Sequence, residues 1–363
     1  MTDYDALNRT MFYERQLVQK LLAANKNVSA IYGRFISRVS PILQQFRYNF
    51  RGAVIRDPGL EKLIGSELSK FKDELQQYIE MEKTGAWNMA TDKTSDIINR
   101  WANSTAAATI AQRGLTARNI QAMDAFMKRK VAGMNLSDRV WQLAGNTKDQ
   151  LEYYLQSGLA AGQSANKISQ DVRQVLNEPD KRFRRVRDKV TGKLVPSKPM
   201  EQYHPGRGVY RSSYQNARRL ARTEINMAYR QSDMESWREL DMVLGYEVKL
   251  SNAHSIFDIC DHAKGKYPKE FTFTGWHPAC LCHAVPILMP HDQFDAWIAG
   301  EPVTAQYVND VPQGMKDWLT TNKQQIEGWK TKPYFMQQNT AMVDKIQAGK
   351  ELFTSARYVP DFE

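Results

Sequence analysis

Apolar side chains recur at steps of three and four residues along the first third of the chain, the spacing of one face of an α-helix. The first run comprises Phe12, Leu17, Leu21, Leu22, Val28, Ile31, Phe35 and Val39. Pro41 interrupts this run, and the turn signal at residues 57–59 precedes a second helix that starts near Leu60. We expect this helix to end at residues 83–85 and helix to resume over 97–110. Residues 1–130 are therefore predicted to form a helical scaffold or docking region.

Residues 131–180 show further helical patterns. Asn135 is a candidate N-cap for a helix that carries Val140, Trp141 and Leu143. Thr147 is predicted to open a separate helix over 148–157, and Ser164 another over 165–177. We expect compact helical hairpins here, with no cluster of reactive side chains on one face.

The periodicity changes once more in the last 155 residues. One long helix is predicted over 210–240, and the alternating residues 245–250 predict a half-buried strand. Short strands and turns should follow to about residue 288, then helices over 292–298 and about 313–330, and a polar, exposed tail from Pro333. The predicted fold class is mainly α with a small α+β module, in which the long helix is followed by a short-stranded Cys/His hairpin.

Composition adds size, charge and location. A chain of 363 residues has room for two or three domains, and 42% hydrophobic residues are typical of a folded protein. The formal charge of +10 favours a polyanionic neighbour, either nucleic acid or an acidic protein surface. The first ten residues lack an apolar signal region, and no apolar run reaches the length of a membrane span, so we expect a protein made in the cytoplasm without a membrane partner.

The positive charge is concentrated in residues 181–222, where Pro and Gly residues and weak periodicity predict an extended or flexible basic loop. The candidate nucleic-acid-binding residues are Lys181, Arg182, Arg184, Arg185, Arg187 and Lys189. They fit contact with the phosphates of double-stranded DNA, where bound cations release counterions. They fit equally well a solvated loop that pairs with acidic residues of a neighbouring subunit.

Three cysteines and three histidines fall between residues 260 and 283, and an odd, clustered cysteine count favours a metal site over a disulfide framework. Structural zinc prefers four Cys or His ligands in a tetrahedron. In an extended segment Cys280 and Cys282 point to the same side, whereas His283 points away. His277 can turn back toward them, and Cys260 is the fourth candidate, with His262 as its competitor. The alternative is that the cysteines are reduced thiols in a small core.

The order of motifs resembles the phage Mu F-type head morphogenesis, or minor head protein, family. The segment from Arg222 through Thr223 to Glu224 resembles the Arg-Thr-Glu helix of that family. In the family, this helix is followed by a Gly-aromatic strand, a Cys-containing turn, a Gly, and His-Pro-x-Cys-x-Cys. Here those features are residues 245–246, 260, 265 and 277–282. The helical lead-in at 136–141 and 158–164 is also similar, so the resemblance covers about residues 131–290, followed by a helical C-terminal tail over 291–363.

The resemblance implies a structural protein of the virion or procapsid rather than an enzyme. Its partners would be the portal protein, the major capsid protein, or both, near the portal vertex. It would assist capsid assembly and DNA packaging or delivery. Arg222 and Glu224 would then be structural, and we hypothesise a buried Arg–carboxylate lock between the long helix and the metal-bearing hairpin.

Two departures from the family pattern bear on the metal. Phe257 stands where many relatives have the first Cys of a Cys-x-x-Cys turn, so His262 or His277 would have to complete the zinc shell. Ala279 and Leu281 stand where many relatives have Asn and Arg. The fold expectation does not depend on either position.

Three other functions compete with a head protein. A zinc-dependent enzyme would use Glu224 or Asp261 as a general base, but no His-Glu-x-x-His or related motif is present. A cysteine hydrolase would pair Cys280 or Cys282 with His277 or His262. A DNA-binding protein would act through the basic loop alone. Some proteins with a Mu F-like domain also carry a C-terminal toxin, but only about 75 residues follow the family region here, short for a separate enzyme domain.

Overall fold

The computed structural model describes residues 3–43, 45, 57–102, 119–131, 133–160, 185–197, 201, 212–252, 254–329 and 331–361, with the backbone alone at 3–6 and 152–160. The predicted helix at 165–177, most of the predicted helical segment 97–110, and Lys181, Arg182 and Arg184 lie wholly or mainly outside these residues. Helices dominate, and one small sheet has three strands, so the predicted fold class is confirmed.

Eleven helices and five strands have bounds among the described residues. The helices before the three-stranded sheet are α1 (Asp3–Leu43), α2 (Pro58–Trp101), α3 (Ile120–Lys128), α4 (Leu136–Ala160) and α5 (Ser213–Glu239). The later helices are α6 (Ile259–Ala263), α7 (His291–Ile298), α8 (Gln313–Thr321), α9 (Lys323–Glu327), α10 (Tyr334–Gln338) and α11 (Thr340–Gln347). The strands are β1 (Arg185–Arg187), β2 (Leu194–Pro196), β3 (Val243–Lys249), β4 (Gly265–Tyr267) and β5 (His283–Leu288).

Helix α2 does not end where the sequence predicts. It continues through Gly85 to Trp101, and its buried face continues on both sides of the glycine, as Ile79 and Trp87 show. A glycine inside a helix costs only about 1 kcal/mol relative to alanine. Burial of the flanking side chains outweighs that cost, so the expected break at residues 83–85 is wrong.

Helix α4 is likewise one helix rather than two. Its N-cap is Asn135 as predicted, because the Asn135 side chain accepts a bond from Asp138 N at 2.8 Å and the Asp138 side chain accepts one from Asn135 N at 3.0 Å. Thr147 does not open a new helix. Its hydroxyl donates to Leu143 O one turn earlier, at 2.8 Å, so its polar group is satisfied inside the helix.

Part of the predicted basic loop is a β-hairpin. Strands β1 and β2 pair antiparallel, with Val186 opposite Val195. Asp188 shapes the turn, because its carboxylate accepts bonds from Val190 N at 3.1 Å and Thr191 N at 2.6 Å, and Gly192 takes a positive φ of 67°. The sequence signal that we missed is this Asp and Gly between two short β-prone runs.

The long helix and the strand that follows it are confirmed as α5 and β3. Strand β3 is the centre of the antiparallel sheet β4-β3-β5. Tyr246 on β3 lies opposite Tyr267 on β4, and the two rings stack at 5.7 Å between centroids. Trp237 of α5 packs against Tyr246, with ring centroids 6.0 Å apart, so the helix covers the sheet.

The C-terminal segment is not an exposed tail. Phe335 and Met336 of α10 are buried, and the Phe335 ring meets Trp276 edge to face at 5.3 Å. Asn339 bonds to both backbone groups of Thr272, at 2.7 and 2.8 Å. The single helix expected over 313–330 is also two helices, because Asn322 leaves helical geometry and its side chain bonds to Trp318 O at 2.8 Å.

The chain divides into two compact units. One comprises Met1–Leu21, Met81–Lys128 and Thr223–Glu363, and the other comprises Leu22–Glu80 and Arg129–Arg222. Each unit therefore contains segments from more than one of the regions 1–130, 131–290 and 291–363 that the sequence pattern distinguishes. None of the described helices has the length and apolarity needed to cross a bilayer.

Candidate metal centre

Cys260 is positioned by the first turn of α6. Asp258 caps this helix, and its carboxylate accepts a bond from Cys260 N at 2.7 Å. The Asp261 carboxylate accepts a bond from Asp258 N at 2.9 Å, which completes a reciprocal capping box. This local network holds the Cys260 backbone, and the buried thiol with it, in one orientation.

A tight turn presents the other two ligands. Cys280 N donates to His277 O at 3.1 Å, Pro278 occupies the second position, and Ala279 has a φ of 60°. These are the features of a type II turn, whose third position favours Gly or Asn. The turn brings the side chains of His277 and Cys280 toward the same point. The expectation that His277 swings back toward the cysteines is therefore confirmed.

The side chains of Cys260, His277 and Cys280 form a group that can bind a metal ion, with all ligand atoms within 4.8 Å of one another. The Sγ atoms of Cys260 and Cys280 are 3.8 Å apart, and Cys260 Sγ is 3.2 Å from His277 Nε2. A tetrahedral zinc ion has sulfur–sulfur edges of about 3.8 Å and sulfur–nitrogen edges of about 3.5 Å, given its usual bond lengths. The separations therefore fit zinc, whereas a disulfide needs sulfurs at about 2.05 Å.

The histidine ring is set in the orientation a metal ligand needs. His277 Nδ1 lies 3.0 Å from Pro278 O and donates to it, which leaves Nε2 with a lone pair facing Cys260 Sγ. Metal-binding histidines usually donate their other ring N–H in this way. The Asp258 carboxylate also lies 3.3 Å from His277 Nε2 and is a further oxygen donor at the same point.

The three buried thiols interact electrostatically. Hydrogen bonds from Cys260 and then Cys282 hold the pKa of Cys280 well below its usual range. The bonds that Cys260 makes with Cys280 and with Cys282, together with burial, raise the pKa of Cys260. One thiolate is thus stabilised by two thiols. Ionisation of all three sulfurs requires a multivalent cation among them, because neighbouring thiolates repel one another.

Three of the five predicted metal ligands, Cys260, His277 and Cys280, form one group. Cys282 is buried beside them and interacts electrostatically with both other cysteines, but it belongs to neither group of metal-binding side chains found among the described residues. His262 does not belong to either group of metal-binding side chains found among the described residues, and its ring instead packs on Phe257, with centroids 5.1 Å apart. His283 faces away as predicted, and burial lowers its pKa to about 4.

Sequence reasoning missed Asp258 and His254. Together with Cys260 they form a second group with ligand atoms within 4.8 Å. His254 Nε2 lies 2.8 Å from the Asp261 carboxylate, and this bond raises the pKa of His254. A cavity of about 180 Å³ opens beside these groups. The acidic residues at positions 258 and 261 have capping-box spacing, a signal for α6, but nothing in the sequence pattern singles out His254.

For the predicted lock between the long helix and the hairpin, the structure shows Glu224 paired with a lysine of α2. Glu224 is buried, and its carboxylate lies 3.4 Å from Lys83 Nζ of α2. Arg222 has a buried Nε with no hydrogen-bond partner within the described ranges. The buried arginine–carboxylate pair that does form joins Arg230 of α5 to Glu14 of α1, with Nη2 and Oε2 2.6 Å apart. The spacing of the Arg-Thr-Glu motif could not reveal which helices would face it.

The described part of the basic segment is exposed. Arg185, Arg187 and Lys189 lie on the β1–β2 hairpin with their side chains in solvent, and Arg187 also donates to Gly192 O at 2.9 Å.

Comparison of the chain with family models, with curated proteins and with solved structures finds no match. Similarity to the Mu F-type head proteins therefore stays a prediction based on the motifs.

Proposed function

We propose that the chain is a structural minor head protein of a tailed phage or prophage, and that a structural zinc ion holds its Cys/His module together. The observation that carries the proposal is the convergence of Cys260, His277 and Cys280 next to the Arg-Thr-Glu helix, and the buried Cys282 is the fourth ligand that we propose. With Cys282 bound, these ligands would fill a tetrahedral shell and leave no position for a substrate. A closed site of this kind stabilises a fold.

The module is tied directly to the helix that carries the family-like motif. Asn226, two residues after Glu224, donates from Nδ2 to Cys280 O at 3.1 Å, and both residues are buried. Metal binding at Cys280 is thereby coupled to the position of α5. A zinc-stabilised rigid body suits a protein that presents fixed surfaces to the portal or the major capsid protein.

The zinc half of the proposal is tested by metal analysis and spectroscopy of the purified full chain. We expect about one zinc per chain, and replacement by Co²⁺ should give the visible absorption of a tetrahedral site with thiolate charge transfer. A chain that carries no metal, and whose melting temperature does not rise with added zinc, would contradict it.

The head-protein half is tested on particles. Particles purified from a lysed culture of the host that encodes the chain should contain it in a few copies, quantified by mass spectrometry against the major capsid protein. Absence of the chain from particles that contain the other head proteins would rule out a virion role. This result is independent of whether zinc is bound.

A zinc-dependent enzyme is the second candidate, and the cavity beside the cluster is the observation that favours it. Its acid–base group would be the His254–Asp261 pair, because buried Glu224 is held by Lys83 and does not line the cavity. An open catalytic site would bind a small anion such as cyanide or azide and change the Co²⁺ spectrum, whereas a closed four-ligand site would not. An unchanged spectrum favours the structural role.

A further inference from the structure

Two arginines lie one turn apart at the beginning of α5. Arg218 Nε donates to Asn25 Oδ1 at 3.2 Å, and its Nη1 lies 3.4 Å from Gln215 Oε1. Both partners are neutral. Arg222 is half-buried, and its buried Nε has no hydrogen-bond partner among the residues that the structure describes. Neither of these contacts supplies a negative charge to balance the two guanidinium groups.

The two arginines also repel each other. Burial, and next the positive charge of Arg218, lower the pKa of Arg222. No carboxylate among the described residues forms an ion pair with either arginine, whereas the half-buried cations Arg38 and Lys72 of the same unit each have one. Arg38, for example, pairs with Glu67 at 2.6 Å. Like charges four residues apart destabilise a helix unless an anion lies between them.

The surrounding segment carries the net charge of the chain. Residues 181–222 contain thirteen Lys and Arg against two acidic residues, a formal charge of +11, while the whole chain has +10. The hairpin of this segment, which belongs to the same compact unit as Arg218 and Arg222, exposes Arg185, Arg187, Lys189 and Lys193. One unit therefore contains both an arginine pair without a counter-ion and an exposed row of cations.

We propose that Arg218 and Arg222 form a phosphate-binding site for the backbone of duplex DNA. A guanidinium group donates two parallel hydrogen bonds to phosphate oxygens, and Arg222 Nε is a donor without a partner in the structure. A phosphodiester between the two guanidinium groups would remove their repulsion.

Duplex DNA fits this surface better than an acidic protein does. DNA has one negative charge per about 1.7 Å of helix axis, so its backbone can meet several separated cations at once. The exposed cations of β1, β2 and their turn are spread along a hairpin rather than gathered in one pocket. Contacts at the hairpin and at the arginine pair would add to each other without any base-specific recognition.

The test measures binding of the full chain to a fluorescent 30-base-pair duplex by anisotropy, at several salt concentrations. We expect Arg218→Gln and Arg222→Gln each to weaken binding about fivefold at moderate salt, and to reduce the salt slope by about one unit per lost phosphate contact. The matched control is Arg34→Gln, which removes the same charge from an exposed arginine already paired with Glu74 at 3.0 Å. It should leave affinity and slope nearly unchanged.

A second measurement separates this role from a structural one. If Arg222 were a structural ion-pair residue, Arg222→Gln would lower the melting temperature. A phosphate site predicts an unchanged or higher melting temperature without DNA, because the repulsion is removed. It also predicts that inorganic phosphate stabilises the wild-type chain more than the variant. Should Arg222→Gln misfold, Arg218→Gln and Arg222→Lys provide the same comparison.

Several results would overturn the inference: no duplex binding by the wild-type chain, equal effects of Arg222→Gln and Arg34→Gln, or binding to a polyglutamate peptide but not to duplex. The last would identify an acidic protein surface as the partner. The inference does not rest on the head-protein proposal, because DNA binding is measured without particles and either proposal can fail alone.

Discussion

The amide of Asn226 donates to the carbonyl oxygen of Cys280 across 3.1 Å, and both side chains are almost fully buried. The bond joins two segments 54 residues apart in sequence. Since Cys280 is a predicted metal ligand and Asn226 belongs to α5, this single contact connects the candidate metal centre to the longest helix of the C-terminal half. Loss of this bond should therefore affect both the stability of the fold and the binding of metal.

Replacing Asn226 with Ala should lower the free energy of unfolding by about 1–3 kcal/mol, because Cys280 O is left buried without its donor. Zinc affinity should fall by about tenfold through loss of support for the ligand. Chemical denaturation and competition with a chromophoric chelator would measure the two effects. The control is Asn27→Ala, which removes an exposed amide bonded to Tyr78. An unchanged zinc affinity in Asn226→Ala would show that the bond is not coupled to the metal centre.

His277→Ala should lower zinc affinity by at least about 100-fold, because it removes a ligand rather than a supporting group. His262→Ala is the matched control and should change affinity less than about twofold, since His262 packs on Phe257 outside the cluster. Chelator competition at constant pH gives both values. Equal losses in the two variants would contradict the ligand set.

Ala279 has a φ of 60°, in the left-handed region that L-residues with a Cβ rarely occupy. Ala279→Gly should therefore raise the free energy of unfolding by about 0.5–1 kcal/mol, in spite of the greater freedom of glycine in the unfolded chain. Ala125→Gly, at an exposed position of helix α3, should instead lower it by about 1 kcal/mol. Urea denaturation of the zinc-loaded proteins would compare them, and destabilisation by both substitutions would refute the strained turn.

Asp233 is fully buried, and burial raises its pKa to about 6 although Lys93 and Arg230 oppose the shift. A carboxyl group with a higher pKa in the folded state binds its proton more tightly when folded. Its contribution to stability is therefore greatest below about pH 4 and declines as the pH rises to about 6, by roughly 3 kcal/mol.

The unfolding free energy of the wild-type chain relative to Asp233→Asn should accordingly fall between pH 4 and pH 6.5. Denaturant titrations of both proteins at four pH values would measure this difference. Release of zinc in acid affects both proteins alike and therefore cancels in the difference. The exposed Asp73→Asn serves as control and should show no such trend. A difference that is constant with pH would mean that Asp233 titrates normally.

Local patterns predicted the helices and strands that have strong periodicity or clear caps, such as α5, β3 and the start of α4 at Asn135. The predictions failed where a local signal competed with burial. Gly85 and Thr147 resemble helix ends, but each lies inside a helix because the flanking apolar residues are buried on a continuous face. The prediction of a polar, exposed tail failed for the same reason, because Phe335 and Met336 are buried.

The candidate metal centre was predictable as a set of residue types but not as a ligand sphere. Clustering and the alternation of Cys280, Cys282 and His283 are properties of a short segment, and a short segment determines which side chains share a side. Whether His277 or His262 joins the cluster depends on the tertiary structure. The turn at Pro278 directs His277 toward the cysteines, whereas the ring of His262 packs on Phe257. Asp258 and His254 entered the site only through the folding of their loop.

By itself, the sequence determined the mainly helical class, the long helix before a short-stranded module, and a group of thiols and imidazoles that can bind a metal ion. These follow from interactions between residues close in the chain. The tertiary structure alone decided that Glu224 pairs with Lys83, that Arg230 pairs with Glu14, and that no carboxylate among the described residues pairs with Arg222. A charged side chain is compatible with many partners. The helix that packs against it, often more than a hundred residues away, selects one.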